Sequence, residues 1–161
     1  MSSTPTPYNR ALDLLAGRSY TVKELRRKLT QKAIPPEEID TVIARLLDNG
    51  LLDDTRYAFA FARSKLMGSG ASPRRVKQEL LRKGIPGDIA DNAIAQVIRD
   101  EEIDPRASLE RVARKKLTQL GDLPPLTLRR RLYSFLARRG YDLDDIQSVV
   151  STLLSSDSPA H

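Results

Sequence analysis

One pattern of six apolar residues occurs three times in this chain. Leu25, Leu29, Ile34, Val42, Ile43 and Leu46 are repeated as Val76, Leu80, Ile85, Ala93, Ile94 and Val97, and again as Leu132, Leu136, Tyr141, Val149, Val150 and Leu153, at offsets of 51 and 107 without a gap. A short helical unit cannot bury its apolar face alone, so a unit copied in register implies copies that stack on one another. Apolar residues recur at spacings of three and four and alternation is absent, which predicts nine helices and no strand. The expected fold is all-α: three tandem three-helix, helix-turn-helix-like repeats stacked into an elongated, curved body. Function is then expected on a long surface, not in a pocket.

The repeat divides the 161 residues into modules at 8–52, 53–103 and 104–155, with Ser-, Thr- and Pro-rich flexible termini at 1–7 and 156–161. In the first module helices are expected near Tyr8–Ala16, Val22–Lys32 and Pro36–Asp48. Thr21-Val22-Lys23-Glu24 has the order of a capping box, and Ser72-Pro73 writes the same helix start as a hydroxyl cap followed by proline. Asp54 and Asp104 are read as caps of the longer first helices of modules two and three. The second helices of those modules end at Lys83-Gly84 and Arg139-Gly140, a cation favourable to the helix dipole before a glycine able to take positive φ. Module one has Lys32-Ala33 there, and because alanine is disfavoured in that conformation a different turn is expected. Met67–Ala71 and Gly121–Pro125 read as places of flexing or sharp turning.

The chain has no cysteine, and its single histidine is His161. Disulfides, zinc-ligand clusters and the usual cysteine or histidine catalytic sites are thereby excluded, so neither an enzyme nor a cofactor is expected. No apolar run approaches the roughly 18 residues of a membrane span, and the first residues lack a signal peptide's basic start and apolar core. A cytoplasmic protein is expected, without a membrane partner.

Charge is polarised along the chain. Residues 54–83 hold eight basic and two acidic residues and 106–139 hold ten and two, whereas 84–105 and 140–161 are net acidic. The two basic blocks are the first two helices of modules two and three, so stacked modules would align them as a positive stripe. The candidate binding residues are Arg63, Arg74, Arg75, Lys77, Arg82, Lys83, Arg114, Lys115, Lys116, Arg129, Arg130, Arg131 and Arg138. Arginine dominates among them, which suits planar recognition of phosphate or carboxylate. Three consecutive arginines fan over about 200° of a helix, so at least one of Arg129–Arg131 is expected beside the core.

Other motifs carry less. Met67-Gly68-Ser69-Gly70-Ala71-Ser72 lacks the lysine and spacing of a phosphate loop and follows a helix, which favours a hinge. The acid groups at Asp53-Asp54, Asp100–Glu102 and Asp142–Asp145 lie at helix boundaries, where caps explain them without a metal. Tyr57 and Phe61, four apart, are assigned to the core. Helices joined by a short glycine turn suggest a DNA-reading helix-turn-helix, but the helices after these turns carry Glu37, Glu38, Asp40, Asp88, Asp91, Asp144 and Asp145, which would repel a duplex.

The stretch Gly50-Leu51-Leu52-Asp53-Asp54-Thr55-Arg56-Tyr57-Ala58, continuing through Phe61-Ala62-Arg63-Ser64 to Arg74-Arg75-Val76-Lys77-Gln78-Glu79-Leu80-Leu81-Arg82-Lys83-Gly84-Ile85, resembles the RecX family of bacterial recombinase regulators. The resemblance extends to Leu25–Leu29 and to Phe135–Tyr141, covering nearly the whole chain. Ser72-Pro73 stands where Gly-Pro is common in the family, and Tyr57 where Phe is common. The resemblance implies three tandem three-helix repeats, binding to the RecA recombinase filament, inhibition of its ATPase and strand exchange, and a cytoplasmic role in DNA repair and the SOS response. A monomer that binds single- or double-stranded DNA weakly through the basic stripe is expected; the alternative is a tandem helical DNA-binding protein acting without a recombinase.

Overall fold

The computed structural model describes residues 4–156, so 1–3 and 157–161, most of the expected flexible ends, lie outside the described residues. Among the described residues the chain forms nine α-helices and no strand: α1 (Pro7–Gly17), α2 (Val22–Gln31), α3 (Pro36–Asp48), α4 (Asp54–Ser64), α5 (Pro73–Arg82), α6 (Gly87–Asp100), α7 (Pro105–Leu120), α8 (Pro125–Arg138) and α9 (Leu143–Ser156). A π-helical turn, Lys65–Ser69, prolongs α4. Every position of the threefold apolar pattern is buried, from Leu25 to Leu153. Thr6 and Pro7, read as tail in the sequence, are the cap and first residue of α1, because the Thr6 hydroxyl accepts from the Asn9 N–H and proline needs no donor at a first helical position.

The chain separates into two compact units, one comprising residues up to Phe61 with Glu79–Ala93, the other Ala62–Gln78 with the chain from Ile94 onward. In the first, Leu25 and Leu29 of α2 pack with Ile39, Val42, Ile43 and Leu46 of α3 and with Ala11 of α1. In the second, Leu109 and Ala113 of α7, Leu132 and Leu136 of α8, and Ile146, Val149, Val150 and Leu153 of α9 form the corresponding core. Three-helix packing is thus written twice by residues at equivalent positions. The repetition follows from the helical period, which returns these residues to one face of each helix.

The helix starts settle which acids are caps. Thr21 forms the full capping box with Glu24, and Ser72 accepts from the Arg75 N–H at 3.1 Å. Asp104 caps α7 as expected, its carboxylate accepting from the Arg106 N–H. For α4 the cap is Asp53, not Asp54: the Asp53 carboxylate accepts from the Arg56 N–H and its carbonyl from the Tyr57 N–H. Asp54 instead accepts from the Val22 N–H at 2.9 Å, tying the start of α4 to the start of α2. Burial pushes the Asp54 carboxyl above the usual aspartate value, opposed by that hydrogen bond and reinforced by Asp53 and Glu24.

The turn after α2 does not differ from its two copies. Ala33 takes φ of 62°, Gly84 and Gly140 each 88°. In all three the following N–H reaches back to the helix, Ile34 to Leu29, Ile85 to Leu80 and Tyr141 to Leu136. Six apolar positions in register impose one turn on all three copies, and alanine accepts the left-handed conformation at a cost of order ~1 kcal/mol.

The glycines of the second and third copies have a further duty. The Thr21 hydroxyl, while accepting from the Glu24 N–H, donates to the Lys83 carbonyl at 2.6 Å. In the same way Ser72 donates to the Arg139 carbonyl at 3.3 Å. A Cβ on Gly84 would lie 2.5 Å from Lys23 Cβ, and one on Gly140 would lie 2.7 Å from Arg75 Cβ. Thr21 and Ser72 are buried hydroxyls joining a helix start in one module to a helix end in the next.

Two assignments from helical period are corrected. Tyr57 and Phe61 are half-buried and stack on each other, centroids 6.1 Å apart, while the small Ala58 and Ala62 face the core. Arg129, Arg130 and Arg131 are all exposed, because only Leu132 and Leu136 of α8 are fully buried and the arginines precede that seam. The segment read as a hinge is the π-helical turn, closed by Gly70 in the left-handed region and bonded to the end of α8: Arg139 donates to the Ser69 carbonyl and the Tyr141 hydroxyl to that of Gly70.

Candidate functional site

The basic residues expected to form a stripe fall into two groups in the structure. The first is engaged within the fold. Arg63 pairs with Glu101 at 2.7 Å, and Arg75 donates to the Arg138 carbonyl at 3.2 Å. Lys116 lies 4.7 Å from the Phe135 ring centroid, and the Arg139 guanidinium lies 4.9 Å from the same ring. Lys83 sits 5.4 Å from the Phe61 ring centroid and 3.9 Å from Glu24. Lys77 is half-buried on α5 and also has a partner. These cations hold helix ends and rings, so sequence composition alone overstates the charge available to a partner.

The second group is exposed and has no ion-pair or ring partner among the described residues: Arg74 and Arg82 on α5, Arg114 and Lys115 on α7, and Arg129, Arg130, Arg131 and Arg138 on α8. Helical geometry orders them. Arg74 and Arg82 are eight apart and share the solvent side of α5 with Gln78, while Arg131 and Arg138 are seven apart and share that of α8 with Ser134. On α7 the exposed face also includes Arg111, which the sequence reading omitted although it stands three residues before Arg114.

In the second unit the structure gathers the start of α5, the π-helical turn, Val112 of α7 and the end of α8. A Cβ on Gly70 would lie 2.6 Å from Val112 Cγ2, which measures how closely α7 approaches that turn. Tyr141 is buried here, and burial raises its phenol above the ordinary tyrosine value against the opposing influence of Arg139 and Arg111. Arg74 at the start of α5, Arg114 on α7 and Arg138 at the end of α8 therefore stand on a pinned scaffold. A guanidinium is a planar fork of donors suited to carboxylate or phosphate oxygens.

Glu79 on α5 and Glu110 on α7 share helices with these cations, and many other acids gather at helix starts and ends. Glu37 and Glu38 on α3, Asp88 on α6, and Asp144 and Asp145 on α9 are exposed in first turns, where they favour the helix dipole. Asp142 accepts from the Asp144 N–H at 3.0 Å and is a cap, as are Asp53 and Asp104. Among the described residues no helix is long and apolar enough to cross a membrane.

Three family models match the chain in succession: RecX, first three-helix domain, over residues 8–46; RecX, second three-helix domain, over 53–94; and RecX, third three-helix domain, over 103–150. A relative named Regulatory protein RecX from Pseudomonas savastanoi pv. phaseolicola (strain 1448A / Race 6) is 39% identical over 150 residues, covering 92% of each chain. Another of that name from Amycolatopsis mediterranei (strain U-32) is 36% identical over 129 residues, 80% of this chain and 72% of the relative. The crystal structure of RecX from Lactobacillus salivarius superposes with a TM-score of 0.74 at 26% identity, covering 91% of this chain and 94% of the other. With three consecutive three-helix domains matched and the sequence shared over most of its length, this chain belongs to the RecX family of regulatory proteins.

Proposed function

We propose that this protein is a negative regulator of the RecA recombinase that binds in the groove of the RecA–DNA filament and inhibits its ATPase and strand-exchange activities. Family membership supports the regulatory reading. The observation that carries the binding mode is the set of exposed, uncommitted cations on α5, α7 and α8. A nucleoprotein filament presents carboxylates and phosphates at regular intervals, and arginine forks suit both. A chain that bridges neighbouring subunits opposes the movements that ATP turnover requires, so inhibition is steric and electrostatic and needs no catalytic group. The protein acts as a monomer in the cytoplasm, within recombination, DNA repair and the SOS response, and its direct affinity for DNA is weak and salt-sensitive.

The test is a preformed RecA filament whose ATPase is followed while the protein is added below stoichiometry. Arg74, Arg114, Arg129 and Arg130 are exchanged together for Glu; Arg75 is left in place because it holds the end of α8. The variant is expected to keep its helicity and to lose both filament binding and inhibition. Wild-type inhibition by the folded variant would refute the role of these residues. Tight duplex binding with strong sequence preference, in the absence of recombinase, would favour the DNA-binding alternative.

A further inference from the structure

The unit that contains α2 and α3 also carries a groove of about 990 Å³, within the range of sites that enclose ligands or partner side chains. One wall is α1, with Leu12, Leu15 and Ala16, and the other is the start of α4, with Tyr57, Ala60 and Phe61. Leu51 lines it as well and is 48% exposed. Leu12 and Leu15 are half-buried and pack partly on the core of α2 and α3, and their remaining surface, with that of Tyr57, Ala60 and Phe61, faces the cleft.

Charge at the groove is specific in sign. Arg18, Arg56 and Lys83 line it against a single acid, Asp53. Glu24 holds Arg18 at 2.9 Å and Lys83 at 3.9 Å, and Arg56 donates to the Gly50 carbonyl at 2.9 Å, so the cations are positioned before any partner arrives. The walls are chiefly aliphatic, and the two rings are already stacked on each other at an interplanar angle of 13° with Lys83 beside them. Base stacking needs an open ring face, so the paired rings disfavour a nucleic-acid strand. Apolar walls beside Arg56, whose guanidinium has no acid partner among the described residues, favour a helix with an apolar face and flanking acids, which meets the leucines and Phe61 on one side and the cations on the other.

We propose that this groove receives an amphipathic helix of a partner protein, its apolar face against Leu12, Leu15 and Phe61 and its carboxylates beside Arg56 and Lys83. None of the cations proposed to meet the filament lines this groove, and its occupant is defined by chemistry alone.

A random 12-residue peptide display library, selected on the full-length protein, tests this directly, with a fluorescent single-stranded oligothymidylate as the competing probe. Enriched peptides should carry apolar residues at three and four spacings with net negative charge, and synthetic copies should lose at least about tenfold in affinity for Ala60→Trp, which fills the cleft. Arg56→Glu, an exposed change, should move the selection away from acidic peptides, which a merely structural disturbance would not do. No enrichment that Ala60→Trp abolishes, enrichment of basic peptides by the unaltered protein, or displacement of the selected peptides by the oligothymidylate would each overturn the proposal.

Discussion

The three equivalent turns that end α2, α5 and α8 allow one chemical change to be made in opposite directions at matched sites. Ala33 has φ of 62°, where an L side chain meets the following carbonyl, so Ala33→Gly should stabilise the protein by about 1 kcal/mol. Gly84→Ala carries that same backbone cost and more. Its new Cβ would lie 2.5 Å from both Cβ and Cδ of Lys23. The Cβ of Lys23 is fixed by its helix, so the α5 end must retreat, weakening the 2.6 Å bond from Thr21 to the Lys83 carbonyl. Backbone strain, overlap and the lost hydrogen bond together should cost about 3 kcal/mol or more. Gly140→Ala should behave alike, its Cβ meeting Arg75 Cβ at 2.7 Å and Ser72 Oγ at 2.9 Å. Urea unfolding followed by far-UV circular dichroism measures all three, and in a thermal scan each kcal/mol should appear as about 2–4 °C. If Gly84→Ala costs no more than Ala33→Gly gains, the close approach of Lys23 is refuted and glycine there serves φ alone.

Further outcomes follow from the same contacts. Thr21→Val keeps the shape but loses both the cap and the bond to Lys83, and should cost about 2 kcal/mol in urea unfolding; Ser72→Ala should cost about 1–2 kcal/mol. Asp54 has its folded pKa raised, chiefly by burial, so its contribution is fully present below the unfolded value of 3.8 and is lost as pH rises through the raised folded value. The protein should therefore gain stability relative to Asp54→Asn as pH falls toward 3.8, and a flat difference between the two unfolding curves across that window would count against the buried carboxylate. Tyr141 obeys the same sign at the alkaline end: its contribution is present below 10.0 and fades as pH rises through its raised value, so Tyr141→Phe should narrow the alkaline loss of stability seen by thermal unfolding.

Much of this was legible in the sequence because burial is periodic. The positions held in threefold register are all buried, and Thr21, Ser72 and Asp104 cap the helices they precede. The misreadings arise where periodicity is silent about depth. Tyr57 and Phe61 share a face, but Ala58 and Ala62 lie nearer the core, and small residues give a weak apolar signal. Asp53 and Asp54 are indistinguishable as caps until the distant Val22 N–H claims one of them. Propensity argued against a left-handed Ala33, and tertiary register overruled it. The basic residues were legible as a class, but their engagement was not. Arg75 and Arg74 are neighbours in sequence, and only the fold gives Arg75 the Arg138 carbonyl as a partner.

The two hydroxyl joints explain why the cations divide as they do. At each joint a helix start, positive by its unpaired N–H groups, meets a helix end, negative by its carbonyls: α2 meets α5 through Thr21 and Lys83, and α5 meets α8 through Ser72 and Arg139. A basic residue at a helix end inside such a joint is held by what surrounds it, as Lys83 is by Glu24 and Phe61 and Arg139 by Ser69 and Phe135. Arg114, Arg129 and Arg130 lie away from these bonds and stay exposed, and Arg74, two residues after Ser72, stays exposed because it shares the solvent side of α5 with Gln78 and Arg82. The joint also has a direction that can be read in residues. Its glycine partner is present at 84 and 140 but is Ala33 in the first module, where the turn is exposed. Its hydroxyl is present at 21 and 72 but becomes Leu128 in the third, inside α8. A chain of this kind is therefore expected to tolerate alanine at the first turn and reject it at the other two, and to present to a partner those cations its joints leave unclaimed.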